Sequence, residues 1–188
     1  MNTAITKEEM RLLPTVRFNR RIIVVDKPED VEKAVNYLSQ FPLLGFDTET
    51  RPAFRKGQTY GTALVQLAAE HTCVLFRINR IPFPGALERL LSDPAILKIG
   101  LSLRDDYNSL NRRYRFTPQG FVDLQQLVQN YGIQDMSLQK IYALLFHERI
   151  SKGQRTSNWE ADRLTEAQQK YAALDAWACL KIYKKLCL

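Results

Sequence analysis

The chain has 188 residues, 45% hydrophobic and 10% aromatic, and its 27 Lys and Arg against 20 Asp and Glu leave a net charge of +7. That excludes a disordered chain and suits one domain able to bury about 70% of its unfolded surface. Cys73, Cys179 and Cys187 are odd in number and lack CxxC spacing, which excludes a disulfide scaffold and the usual zinc sites and fits a reducing compartment.

No apolar run reaches the ~20 residues of a membrane helix, and the first residues carry acids where a signal peptide needs a hydrophobic stretch. The expectation is a soluble, intracellular, cytoplasmic protein with no membrane partner. The basic surplus favours an anionic partner such as nucleic acid, although many proteins with this surplus bind none.

Residues 1–20 show no sustained periodicity and read as a loosely ordered lead-in to a single domain over 21–188. Ile22 to Val25 is β-branched and predicts a short strand; Lys27-Pro28-Glu29-Asp30 then starts a helix running to Gln40. Leu43 to Thr48 reads as a buried strand, and after a basic loop come Thr62 to Ala68 and Cys73 to Ile78, completing a three-strand antiparallel meander. Helices then alternate with strands: helix 85–91, strand 96–100, helix 103–113 and a short strand near Phe121, an alternation that favours parallel crossovers. Helices at 124–131 and 138–145 and a polar loop from His147 to Asn158 precede the clearest element, a last helix opened by the capping box of Thr165 and Gln168. The fold class is α/β: a mixed sheet of five to six strands, three antiparallel and extended by parallel ones, flanked by helices.

Within Phe46-Asp47-Thr48-Glu49-Thr50, strand alternation puts Asp47 and Glu49 on one face, where two acids at the end of a buried strand repel unless something positive lies between them. An isolated D-x-E also serves to cap turns or to pair with Arg51 or Arg55. In the last helix Tyr171, Asp175, Ala178 and Ile182 form one stripe, so Asp175 is bracketed by apolar groups and needs an Arg partner or a cation. Asp105 and Asp106 follow strand 96–100 into the next helix, near the strand ends where α/β sites gather, and such acids also complement a helix dipole. His71 and His147 stand with no nucleophile in recognisable context, and no GxGxxG, GxxxxGK or HExxH occurs. Oxygen ligands without thiolate or imidazole select hard ions such as Mg²⁺ or Mn²⁺.

Taken in order, these segments resemble the DEDD superfamily of 3′–5′ exonucleases, which has an RNase H-like (DnaQ-like) fold, and within it the tyrosine branch (DEDDy) that includes RNase D and the Werner-helicase exonuclease domain. The resemblance covers about residues 20–188: FDTET supplies D-x-E, ALVQLA looks like the strand that follows, and KIGLSLRDDYNSL is the second motif. Counted from Gly100, the second-motif acid falls on Asp106 rather than Asp105. Tyr171-Ala-Ala-Leu-Asp175 is the Y-x-x-x-D motif, preceded by Ser157-Asn158-Trp159, and Lys170 stands where the histidine branch has its histidine.

The resemblance implies two divalent cations, Mg²⁺ or Mn²⁺, and release of nucleoside 5′-monophosphates from a free 3′ end. It makes Asp47 the bridge between both ions, assigns Glu49 and Asp175 to the ion that binds the attacking water and Asp106 to the leaving-group ion, and gives Tyr171 the orientation or deprotonation of the nucleophile. Candidate substrate contacts are Thr48, Arg51, Arg55, Lys56, Lys152, Arg155 and Asn158, with Phe54 and Tyr60 as stacking platforms. Trp159 and Trp177 read as packing residues, and Lys181, Lys184 and Lys185 as complements to a helix dipole. No helical nucleic-acid-binding domain follows the last helix in this sequence, so grip is expected from the domain itself, self-association or a protein partner, with low processivity. The alternatives are a catalytically silent nucleic-acid-binding or scaffold module of the same fold, and a phosphohydrolase for small nucleotides.

Overall fold

Short apolar and β-branched runs build six strands: β1 (Arg21–Val25), β2 (Leu43–Thr50), β3 (Thr62–Ala68), β4 (Thr72–Phe76), β5 (Leu97–Gly100) and β6 (Phe121–Asp123). They form one sheet in the order β1-β4-β3-β2-β5-β6. The computed structural model describes residues 3–81, 83 and 85–188. β2, β3 and β4 are the antiparallel meander, β5 and β6 extend it in parallel beyond β2, and β1 joins in parallel beyond β4. The expected mixed sheet is present, with six strands. Every residue of β3 is buried, as a central strand covered on both faces requires.

The helices are α1 (Lys7–Leu12), α2 (Pro28–Leu38), α3 (Gly85–Leu91), α4 (Leu103–Arg113), α5 (Leu124–Leu127), α6 (Leu138–Phe146) and α7 (Glu166–Cys187). Leu38, Leu87 and Leu110 from α2, α3 and α4 pack with Phe46 and Val65 on one face of the sheet. Leu124, Ile141 and Ala172 from α5, α6 and α7 pack with Leu64 and Leu75 on the other. β2 serves both layers: Leu44 and Phe46 enter the first, while the alternate positions, Gly45, Asp47 and Glu49, lie beneath α7. At α7 the Thr165 side chain accepts from Gln168 N and the Gln168 side chain from Thr165 N, the reciprocal cap that the spacing predicts. Among the described residues no helix is long and apolar enough to cross a membrane.

Two expectations about elements are corrected, those for helix 124–131 and for the end of β2. Residues 1 and 2 of the expected lead-in lie outside the described residues, and the rest of it makes contacts with the domain. Phe18 is buried against Trp177, Thr15 bridges Arg149, Ile5 N donates to Asp135 Oδ2 at 2.9 Å, and α1 carries its own capping box of Thr6 and Glu9. Long-range anchors of this kind leave no local periodicity. The helix expected over 124–131 is α5 followed by a tighter 3₁₀ turn, Val128–Tyr131. β2 continues two residues past Thr48 because Glu49 and Thr50 still pair with β3, across a register shift between them.

Candidate active site

Three carboxylates from two elements converge. Oxygens of Asp47 and Glu49 on β2 and of Asp175 on α7 all lie within 4.8 Å of one another. What brings the helix so close is Gly45, one step before Asp47 on the same face: a Cβ there would sit 1.9 Å from the Ala176 carbonyl oxygen, so the backbones of β2 and α7 touch where only hydrogen fits. Asp175, the residue before Ala176, is 5% exposed, and its Oδ1 has no hydrogen-bond partner.

Desolvation, followed by repulsion from Asp175, Asp106 and Glu49, pushes the Asp47 carboxyl well above its ordinary range. Glu49 is raised to about 9 by burial and by Asp175 and Asp106, a rise that nearby Arg155 partly offsets. Burial lifts Asp175 to about 7, against the opposing influence of the Tyr171 hydroxyl. Like charges in low dielectric at this spacing are stable only when protonated or when a cation lies among them. An all-oxygen donor set with an orphaned buried oxygen fits a hard divalent cation.

The fourth acid stands at the same strand end. Asp106, in the first turn of α4, is half-buried and accepts a hydrogen bond from Thr48 Oγ1, while Asp105 is exposed. Burial raises Asp106 to about 6 despite the Thr48 bond. Asp106 is not part of the close trio; it acts on Asp47 and Glu49 through its charge. The start of α4 is fixed by Asp123 at the end of β6, whose carboxylate accepts from Ser102 N and Leu103 N at 3.0 Å each and from Gln125 N at 2.9 Å. One side chain thereby caps α4 and α5 and stabilises the left-handed backbone of Ser102 (φ 60°).

Tyr171, one turn before Asp175, lines the same cleft of about 410 Å³, and its phenol is pushed above its ordinary range by burial and by Asp175 and Glu49. Its ring packs against Trp159, which is fully buried in the loop before α7. Arg77 at the end of β4 holds that loop, donating to the carbonyls of Ala161 and Asp162. Trp177 packs on Phe18 and donates from Nε1 to Glu70 O at 3.2 Å, so both tryptophans are packing residues. Lys184 pairs with Glu70, and Lys181 lies over the Phe146 and Trp177 rings.

The candidate substrate contacts divide into groups. Thr48, Lys152 and Arg155 line the acidic cleft. Arg51, Arg55 and Asn158 instead line a separate cavity of about 320 Å³ with Phe54 and Tyr60. There Arg51 lies 4.7 Å over the Tyr60 ring and 3.4 Å from Glu160, and Phe54 is 82% exposed. Lys56 is exposed and lines neither. Sequence reasoning missed Asp123 and the cleft-lining Gln125, Ser137 and Gln139. An Asp directly before a helical run was a legible signal for the first; the others reach the cleft only through packing.

A family model described as 3′-5′ exonuclease matches residues 22–188. The chain is 35% identical over 156 residues to the bifunctional 3′-5′ exonuclease/ATP-dependent helicase WRN of Mus musculus, covering 79% of this chain and 11% of that protein. Among solved structures it is similar to Escherichia coli RNase D, an exoribonuclease involved in structured RNA processing, with a TM-score of 0.78 and 25% identity over 89% of this chain and 44% of that one. This chain thus spans less than half the length of either. The Aedes aegypti Nibbler EXO domain superposes with a TM-score of 0.81 over 92% of this chain and 90% of that one, at 20% identity, a likeness of fold.

Proposed function

This chain belongs to the 3′–5′ exonuclease family, and on that premise we propose that it hydrolyses nucleic acid from the 3′ end and releases nucleoside 5′-monophosphates. The observation that carries the reading is the convergence of Asp47, Glu49 and Asp175 with an unpartnered, buried Asp175 oxygen. Asp47, Glu49, Asp106 and Asp175 would hold two divalent cations, Mg²⁺ or Mn²⁺. When bound, these supply Lewis-acid stabilisation of the charge that develops on the phosphate and make water more acidic.

The chain's own groups do the rest. Tyr171, on the cleft wall one helical turn before Asp175, is placed to orient the attacking water or to help deprotonate it. Thr48 fixes the Asp106 carboxylate. Lys152 and Arg155, on the wall of the acidic cleft, meet the phosphates that the carboxylates alone would repel. Such contacts read backbone rather than bases and suit a sequence-tolerant enzyme acting on DNA or RNA.

The test is a time course with 5′-labelled single-stranded DNA and RNA of one sequence in Mg²⁺, Mn²⁺ or EDTA, beside Asp47→Ala/Glu49→Ala. A metal-dependent ladder that shortens from the 3′ end and is absent in the variant is the expected result, and it ranks the two polymers. Binding without hydrolysis in any metal would refute the reading in favour of a silent module.

A further inference from the structure

We propose that α1, the start of α6 and residues 149–152 form a basic groove that holds the phosphodiester backbone of a single strand on its way to the acidic cleft, an inference that rests on the nuclease reading above. The groove has a volume of about 350 Å³, and five of its ten lining residues are Lys7, Arg11, Lys140, Arg149 and Lys152, with no acid among them. It adjoins the acidic cleft: Ser137, Gln139 and Lys152 line both. A strand whose 3′ end lies among the carboxylates therefore meets the groove next, with Lys152 at the junction.

The placement of α1 is specific. Lys7, Met10 and Arg11 share one face at spacings of three and four, whereas Glu9 is turned away and held by Thr6 N and Thr6 Oγ1 at 2.8 Å each. α1 is seated by Ile5 N on Asp135 and by Gln134 N on Thr3 O at 2.8 Å; Arg149 N then bonds Pro14 O at 2.9 Å and its Nε donates to Leu13 O at 3.1 Å. Lys140 is paired with Asp135 at 2.6 Å, but among the described residues Lys7, Arg11 and Lys152 have no carboxylate within 4.0 Å. Lys7 and Arg11 stand four residues apart on the groove face while Glu8, between them in sequence, does not line the groove, so an anion held there is attracted by both cations. A negative polymer is the complement that also suits the neighbouring cleft, because the groove offsets the repulsion between its phosphates and the carboxylates. The α1 side of the groove, Lys7, Met10 and Arg11, lies outside the family match over residues 22–188, while the α6 and 149–152 side lies within it.

The test measures binding of fluorescent 12-mer and trimer strands, DNA and RNA separately, in EDTA over a salt series. Lys7→Ala/Arg11→Ala is compared with the parent and with Lys27→Ala/Lys33→Ala, an exposed pair on and beside α2 that removes the same charge. Losing two counterion-releasing contacts lowers the slope of log K against log salt by about 1.4 and weakens the 12-mer on the order of 20-fold near 0.1 M salt. The ratio of 12-mer to trimer affinity falls with it, while the control pair keeps the parent's ratio. A parent-like 12-mer affinity in the α1 variant, an equal loss in the control pair, or a parent that prefers neither length would overturn the groove. Hydrolysis with an intact α1-variant affinity sinks the groove alone; groove-dependent binding without hydrolysis in any metal sinks the nuclease reading alone.

Discussion

Gly45→Ala tests the contact on which the acidic cluster depends. The added methyl would lie 1.9 Å from the Ala176 carbonyl oxygen and 2.8 Å from its carbon, and because both atoms belong to helix backbone no rotamer change relieves the overlap. Ordinary contact requires α7 to withdraw from β2 by about 1.5 Å. Overpacking of this kind costs about 1–3 kcal/mol, which for a chain of this length lowers Tm by about 2–12 °C. Asp175 moves with its neighbour Ala176, and a 1 Å misplacement at a reacting centre costs about 100-fold in rate. The assay pairs thermal unfolding with hydrolysis of a 5′-labelled strand, and Gly61→Ala is the control, since a Cβ at Gly61 meets nothing within 4 Å. A Gly45→Ala protein with Tm within about 1 °C and hydrolysis within about twofold of the parent would refute the argument.

The other predictions concern the charges themselves. Glu49, Asp175 and Asp106 have folded-state values of about 9, 7 and 6, all above those of the unfolded chain, so the folded protein binds more protons there. Without metal, the stability they contribute is full below about pH 4 and is lost as pH rises through 6, 7 and 9. Mn²⁺ or Mg²⁺ therefore raises Tm more at pH 8 than at pH 5 in a thermal-shift series, and an equal shift at both would contradict the cluster as the site of binding. Asp175→Asn removes one of the repelling charges; it is expected to raise the metal-free Tm at pH 8 while abolishing the Mn²⁺-induced shift and hydrolysis, and a lowered metal-free Tm would count against the repulsion. Asp123→Ala leaves three backbone N–H groups without their acceptor, which costs about 2–3 kcal/mol in urea unfolding and loosens α4 beneath Asp106; a cost under about 0.5 kcal/mol would show that water replaces the cap.

Local pattern carried most of the chain. β3 at Thr62–Ala68, α3 at Gly85–Leu91 and α4 at Leu103–Arg113 have the bounds that periodicity predicts, because each is delimited by its own turn residues and buried on a face set by its own spacing. The Asp47–Glu49 pair on one strand face and the Tyr171–Asp175 stripe on one helix face were legible for the same reason: a two-residue and a 3.6-residue period fix direction within an element.

What the sequence could not supply is the relation between elements. That Asp175 lies within 4.8 Å of Asp47 and Glu49 depends on β2 and α7 touching at Gly45, residues separated by most of the chain. That Asp106 faces Thr48 while Asp105 faces solvent depends on Asp123 setting the start of α4. The docking of residues 3–20 depends on Asp135, Arg149 and Trp177, none of which is near them in sequence. Sequence alone determined which acidic and aromatic residues share a face of their own element, because that follows from backbone periods. Only the tertiary structure decided which faces meet, because that is set by close packing and by single hydrogen bonds between segments far apart in the chain.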